Sequence, residues 1–94
     1  MKFPRPVDQA AVAANWAGRG YDCRPFTDPP GQRWEDFVHD CNELVTAVDG
    51  KLEMEIEGQR MEMGSGDEVF IPAKAVHSVR NIHGGTTRWL FGYD

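Results

Sequence analysis

The chain has 94 residues, with ten lysines and arginines against fifteen aspartates and glutamates, a formal net charge of −5. That length suits a single domain spanning 1–94, its barrel expected over about 20–94, with one core and at most one small pocket. The acidic balance argues against nucleic acid or an anionic membrane surface as partner, since either needs a basic patch. No apolar run approaches the roughly 18 residues of a membrane span, and segment 1–6 leads into no signal-peptide core. The expected compartment is therefore the cytoplasm, where Cys23 and Cys41 read as reduced thiols. A disulfide between them is the less favoured alternative.

Taken in order, residues 1–6 read as an extended arm broken by prolines. Asp8 can cap a short helix over 9–17, and Gly18 can stop it. Val12 and Trp16, four residues apart, fall on one buried face of that helix. A first strand is expected over 20–26 and a turn over 27–32, where Asp28-Pro29-Pro30-Gly31 interrupts any ladder. An aromatic-rich segment covers 33–38, and a strand follows over 43–48. Asp49-Gly50 is the strongest hairpin signal, a pair suited to a type I′ turn. Leu52, Met54 and Ile56 then alternate with Glu53, Glu55 and Glu57, so the apolar set should face the core and the acidic set water. Gly58 turns the chain and 60–63 repeats the alternation.

Gly66-Asp67 makes the next turn, and 68–71 is a short strand ended by Pro72, which has no N–H for the ladder. An extended run resumes over 76–82. Alternate residues of a strand share a face, so His77, Val79 and Asn81 point one way and Val76, Ser78, Arg80 and Ile82 the other. After a turn at 83–86, the closing strand 87–93 places Trp89, Phe91 and Tyr93 on one face and Arg88 and Leu90 on the other. About eight short strands joined by tight turns predict two folded-over sheets, a jelly-roll sandwich or small barrel.

Three side chains carry the chemistry expected of this chain. On an extended segment His39, Cys41 and Glu43 share a face, so His39 and Glu43 can enter one cavity. His77 arrives from a later strand. Two imidazoles and a carboxylate match the facial triad of non-haem Fe(II) centres and equally the two-His-one-Glu zinc sites.

The stretch 66–81 resembles the second motif of the cupins: Gly66, Pro72, His77 and Asn81 stand at that motif's spacing, with Lys74 where glycine is usual. Four such matches arise by chance on the order of once in 10⁵ starts or fewer. The end of the first cupin motif is also present, with Glu43 six residues before Gly50, His39 on its second histidine and Gly31 on its opening glycine. Phe37 occupies the first histidine position, so one of the four usual metal ligands is missing. The resemblance runs from about Gly31 to Asn81. It implies an all-β, cupin-type jelly-roll barrel behind the short N-terminal helix, with the pocket at its open end and a homodimer as the common assembly. It also implies a divalent metal ion, Fe, Zn, Mn or Ni, held by His39, Glu43 and His77. Cys41 is the less favoured substitute for the missing ligand, because a buried free cysteine is more often a small apolar filler.

Family members range from dioxygenases, isomerases and decarboxylases to storage and ligand-sensing proteins, so the site must decide the function. One expectation is a small metal-binding cupin, if an enzyme then of oxygenase or isomerase type, acting on a small polar molecule. The alternative is a metal-free binding or assembly cupin in which Phe37 has made the pocket apolar. Other residues have plainer readings. Asn81 should brace a turn, and His83 and Lys74 should be solvated. Arg80 and Arg88 should pair with glutamates. Trp34, Trp89, Phe91 and Tyr93 should be core or dimer contacts unless they line a pocket, and the closing strand is one candidate dimer face.

Overall fold

The computed structural model describes residues 2–94. Among them, one helix, α1 (Gln9–Ala17), precedes eight strands. These are β1 (Arg24–Asp28), β2 (Arg33–Phe37), β3 (Glu43–Asp49), β4 (Leu52–Ile56), β5 (Gln59–Met63), β6 (Glu68–Ile71), β7 (His77–Asn81) and β8 (Thr87–Tyr93). They form two four-stranded antiparallel sheets, ordered β1-β8-β3-β6 and β2-β7-β4-β5. The main core lies between them: Val45, Ala47, Ile71 and Trp89 from the first sheet meet Leu52, Met54, Met63 and Val79 from the second. This is the jelly-roll arrangement expected from the many short strands.

The first sheet is covered on its other face as well. Leu44 of β3 and Leu90 of β8 pack there against Val12 and Trp16 of α1, both fully buried. Burial of each helix side chain contributes roughly 1.5–3 kcal/mol. Coverage from two sides explains why Glu43 to Ala47 are all buried, a continuous run where a one-sided strand would alternate. The helix has the predicted ends. Asp8 accepts a hydrogen bond from the Ala10 N–H at its start, and Gly18 stands at its C-cap. It is pinned to β6, since the Trp16 indole N–H donates to Glu68 at 2.8 Å and Arg19 donates to both oxygens of the same carboxylate.

Three local expectations change. The first strand begins at Arg24, because residues 18–20 complete a turn behind the helix, and Thr27 and Asp28 still pair with β8. Asp49-Gly50 does not close a hairpin. β3 pairs with β6 and β8, whereas β4 pairs with β5 and β7, so this turn carries the chain from one sheet to the other. The type I′ geometry sits instead at Glu57 and Gly58, with φ of 49° and 80°, joining β4 to β5. The closing strand is not an open edge: β8 lies between β1 and β3, and its aromatic row looks inward. Finally, Arg80 pairs with Glu35, Glu53 and Glu55 as expected, but Arg88 pairs with Asp49.

Two contacts prepare the open end of the sandwich. Lys74, exposed and at a left-handed φ of 68°, donates its backbone N–H to the His39 carbonyl at 2.7 Å. An L-residue pays about 1–2 kcal/mol for that conformation, which accounts for glycine being usual at this place in the motif. Asn81 is a buried hub: its amide donates to the carbonyls of Asp28, Pro29 and Gly85, and its oxygen accepts from His83 N–H and the Thr87 hydroxyl. It braces turns, as expected of it.

Candidate metal centre and its pocket

Strand register brings the candidate ligands together from three directions. Glu43 opens β3 and sits opposite Tyr93, the last residue of β8. His77 opens β7 in the facing sheet, opposite Phe37 and Ile56. His39 comes from the crossover between β2 and β3, where the Lys74 contact holds its backbone. One ligand atom from each of His39, Glu43 and His77 lies within 4.8 Å of the others. Cys41 does not join this group and remains a free thiol, as does Cys23.

The atoms that face one another are all able to accept. His77 Nδ1 lies 3.0 Å from the Ala75 carbonyl oxygen, which can only accept, so this bond places the proton on Nδ1. In the neutral ring the Nε2 lone pair then faces Glu43 Oε1, 3.5 Å away. His39 Nε2 stands 3.6 Å from the same oxygen. Both separations exceed hydrogen-bond length, and among the described residues Glu43 Oε1 is buried with no donor. A buried carboxylate oxygen without a partner is costly. Burial accordingly pushes the Glu43 carboxyl up to about 7. Burial, with His77 close by, lowers the His39 pKa below its ordinary value. A divalent ion accepting these lone pairs would remove the orphan, and the donor set, two imidazoles and a carboxylate, fits such an ion.

Above these groups opens a cavity of about 300 Å³. Its walls are aromatic: Phe26, Trp34, Phe37, Trp89 and Phe91. Trp34 and Phe37 differ in parity, yet both reach it, because the register shifts between them and Asp36 takes a φ of 58°. Phe37, 41% exposed, lies at the rim with its ring nearly parallel to that of His39, centroids 6.3 Å apart. Tyr93 adds a hydroxyl 3.4 Å from His39 Nε2. Burial, then the nearby Glu43 carboxylate, push that phenol up to about 12, so at neutral pH it keeps its proton.

The sequence reading therefore named the three converging groups and part of the pocket wall. It missed Phe26 and Asp28. Asp28 looked like a turn residue beside two prolines, but it is 1% exposed and accepts from the indole N–H groups of both Trp34 and Trp89. The usable signal was parity, since Phe26 and Asp28 share a strand face once β1 is extended to Asp28.

The family model described as the cupin domain matches residues 26–93, most of the chain and all three candidate ligands. The chain belongs to the cupin family. Among curated proteins, this cupin is 36% identical over 81 residues to quercetin 2,3-dioxygenase of Bacillus subtilis (strain 168), covering 83% of the chain but 23% of that protein. It is 27% identical over 105 residues to polyketide synthase CurC of Streptomyces cyaneus, covering 94% of the chain and 68% of that protein. Among solved structures, the cupin domain of an XRE family transcriptional regulator from Enterobacter cloacae superposes with a TM-score of 0.71 at 23% identity, over 78% of this chain and 79% of that one. That last likeness concerns the fold alone. Among the described residues of this cupin, no helix is long and apolar enough to cross a membrane.

Proposed function

We propose that this chain is a metal-binding cupin, with one divalent ion held by His39, Glu43 and His77 and a small-molecule ligand received in the aromatic pocket beside it. The observation that supports this reading best is the buried Glu43 Oε1, without a donor and faced by two imidazole nitrogens. Iron, zinc, manganese and nickel all suit the donor set. Such an ion, when bound, polarises an oxygen-bearing group of the ligand as a Lewis acid.

The chain's own residues do the rest. The Ala75 carbonyl fixes the tautomer and orientation of His77. Phe37 leaves one position of the usual four-ligand set without a protein donor and lines the rim there. Tyr93 holds a hydroxyl proton at the polar end of the cavity. The aromatic walls exclude water from the ligand. If the chain is an enzyme, oxygenase chemistry is one class open to it, by analogy with a relative named as a dioxygenase of which it spans only 23%. A metal-free container is the second reading, and Phe37 favours it, because an apolar ring replaces a ligand.

Elemental analysis separates the two. Protein purified without chelator is expected to carry about one ion per chain, and His77→Ala to carry less than about a tenth of that, while circular dichroism stays that of a folded β protein. Substoichiometric metal that does not fall further in His77→Ala would leave the metal-free container.

A further inference from the structure

The cavity has two unlike ends, and the contrast between them selects a ligand class. At one end stand the imidazole, carboxyl and hydroxyl groups of His39, Glu43, His77 and Tyr93. The remainder is ring surface apart from Val79. Phe26 sits at its centre, making edge-to-face contacts with Trp34, Trp89 and Phe91 at centroid distances of 5.6, 5.4 and 6.2 Å. The two indole N–H groups in this wall are both engaged by the buried Asp28 carboxylate, at 3.1 Å for Trp34 and 2.9 Å for Trp89. Neither is left to bind a ligand.

A wall of this kind penalises most small polar metabolites. A sugar, an amino acid or a phosphate ester would place hydroxyls or charges against rings that cannot pair with them. A flat aromatic molecule would extend the edge-to-face set already present around Phe26. The polar end narrows the choice further. It presents lone pairs at Glu43 Oε1 and His77 Nε2, a His39 Nε2 that accepts or donates according to its tautomer, and one donor at Tyr93. A ring hydroxyl can donate to those lone pairs and accept from Tyr93, and it can equally present its oxygen to a cation there. A carboxylate head would meet the Glu43 carboxylate whenever no cation lies between. The volume of about 300 Å³ is about ten waters' worth, room for one or two rings.

We propose that the ligand of this pocket is a planar aromatic hydroxyl compound of one or two rings, its ring against Phe26 and its hydroxyl at the Tyr93 end. This rests on the reading that the pocket is the working site, and it replaces the small polar molecule expected from the sequence.

The probes are 4-methylphenol and 4-methylcyclohexanol, which share a skeleton and a hydroxyl but differ in ring saturation, with glucose as a polar comparison. Isothermal titration calorimetry on the purified chain is expected to give 4-methylphenol at least about tenfold tighter binding than 4-methylcyclohexanol, and glucose none. Phe26→Leu should shrink that ratio to within about threefold; should that variant fail to fold, Phe91→Leu is expected to do the same. Equal affinities for the two methyl compounds, tighter binding of glucose, or no binding of 4-methylphenol at millimolar concentration would each overturn the proposal. The titrations are repeated after chelation, with metal content measured separately. An aromatic preference in protein that already carries no metal when purified without chelator supports this ligand class and refutes the metal reading. Stoichiometric metal without that preference does the reverse.

Discussion

Glu43→Gln is expected to abolish stabilisation by the divalent ion proposed for this site and, without metal, to make the protein more stable than the parent. The two effects have one source. Glu43 Oε1 is buried without a donor, and its carboxyl is pushed up to about 7 from an ordinary 4.5. A carboxyl raised in the folded state binds its proton more tightly there than in the unfolded chain. Its contribution to stability is therefore full below pH 4.5 and lost as pH rises through about 7. Above that window the loss is about 3 kcal/mol. The His39 pKa is lowered in the folded state, so its contribution runs the other way, with stability recovered as pH rises toward the ordinary histidine value.

Glutamine keeps the shape, carries no charge and brings an N–H₂ that can donate toward the two imidazoles. At pH 8, after chelation, the variant should melt roughly 10 °C higher than the parent, for a gain of about 2 kcal/mol in a domain of this size. Its melting temperature should also lack the parent's decline between pH 4.5 and 7. Added metal at about 100 times its dissociation constant should stabilise the parent by about 2.7 kcal/mol and the variant not at all. Thermal melts of both proteins, with and without metal, give every one of these numbers. A chelated variant that melts below the parent at pH 8 would contradict the account of Glu43 as a strained, unpartnered group.

Gly92→Ala is expected to cost at least about 4 kcal/mol, enough to threaten folding in a domain whose whole stability is of the order of 5–15 kcal/mol. A Cβ at Gly92 would overlap the Asp22 carbonyl oxygen and stand 2.8 Å from its carbon. That obstacle is backbone, and it is held: the Asp22 N–H donates to the Tyr93 carbonyl at 3.1 Å, and the Asp22 carboxylate accepts from the Tyr93 N–H at 2.8 Å. The Trp16 ring lies 3.1 Å from the same added atom on the helix side. Neither neighbour can retreat without opening β8 or lifting α1. Gly84, in the β7–β8 turn, is the control, since an added methyl there would meet nothing within 4 Å. Urea melts should show Gly84→Ala within about 0.5 kcal/mol of the parent and Gly92→Ala far below it or insoluble. A Gly92→Ala variant of near-parental stability would mean that the 20–23 segment is not locked against β8.

The parts of this fold that were legible in the sequence are those set by local chemistry. Asp8, Val12, Trp16 and Gly18 announced α1 because capping and an i, i+4 apolar pair are local properties. The alternation of Leu52, Met54 and Ile56 with three glutamates placed β4 for the same reason. What failed depended on distant partners. Asp49-Gly50 has the residues of a type I′ hairpin, but β8 and β6 claim β3, and so the turn became a passage between sheets. Thr27 and Asp28 look like turn residues until β8 supplies a partner strand. Whether the Trp89, Phe91 and Tyr93 row faces a core, a pocket or a partner could not be decided either, because which face of a strand is buried is set by the opposite sheet.

The candidate site divides along the same line. His39 and Glu43 are close in sequence, and the motif spacing added His77, so their convergence could be anticipated. The shape and polarity of the cavity could not. They follow from a bulge at Asp36 and from a buried aspartate that ties down two indoles from different strands.

The most direct measurement is anomalous diffraction from crystals of the unmodified chain grown with manganese or zinc. The account predicts one anomalous peak, about 2.0–2.6 Å from His39 Nε2, His77 Nε2 and a Glu43 carboxylate oxygen, absent in crystals of His77→Ala. Saturating metal with no peak among those three side chains, or a peak only at surface carboxylates such as Glu53 and Glu62, would contradict it.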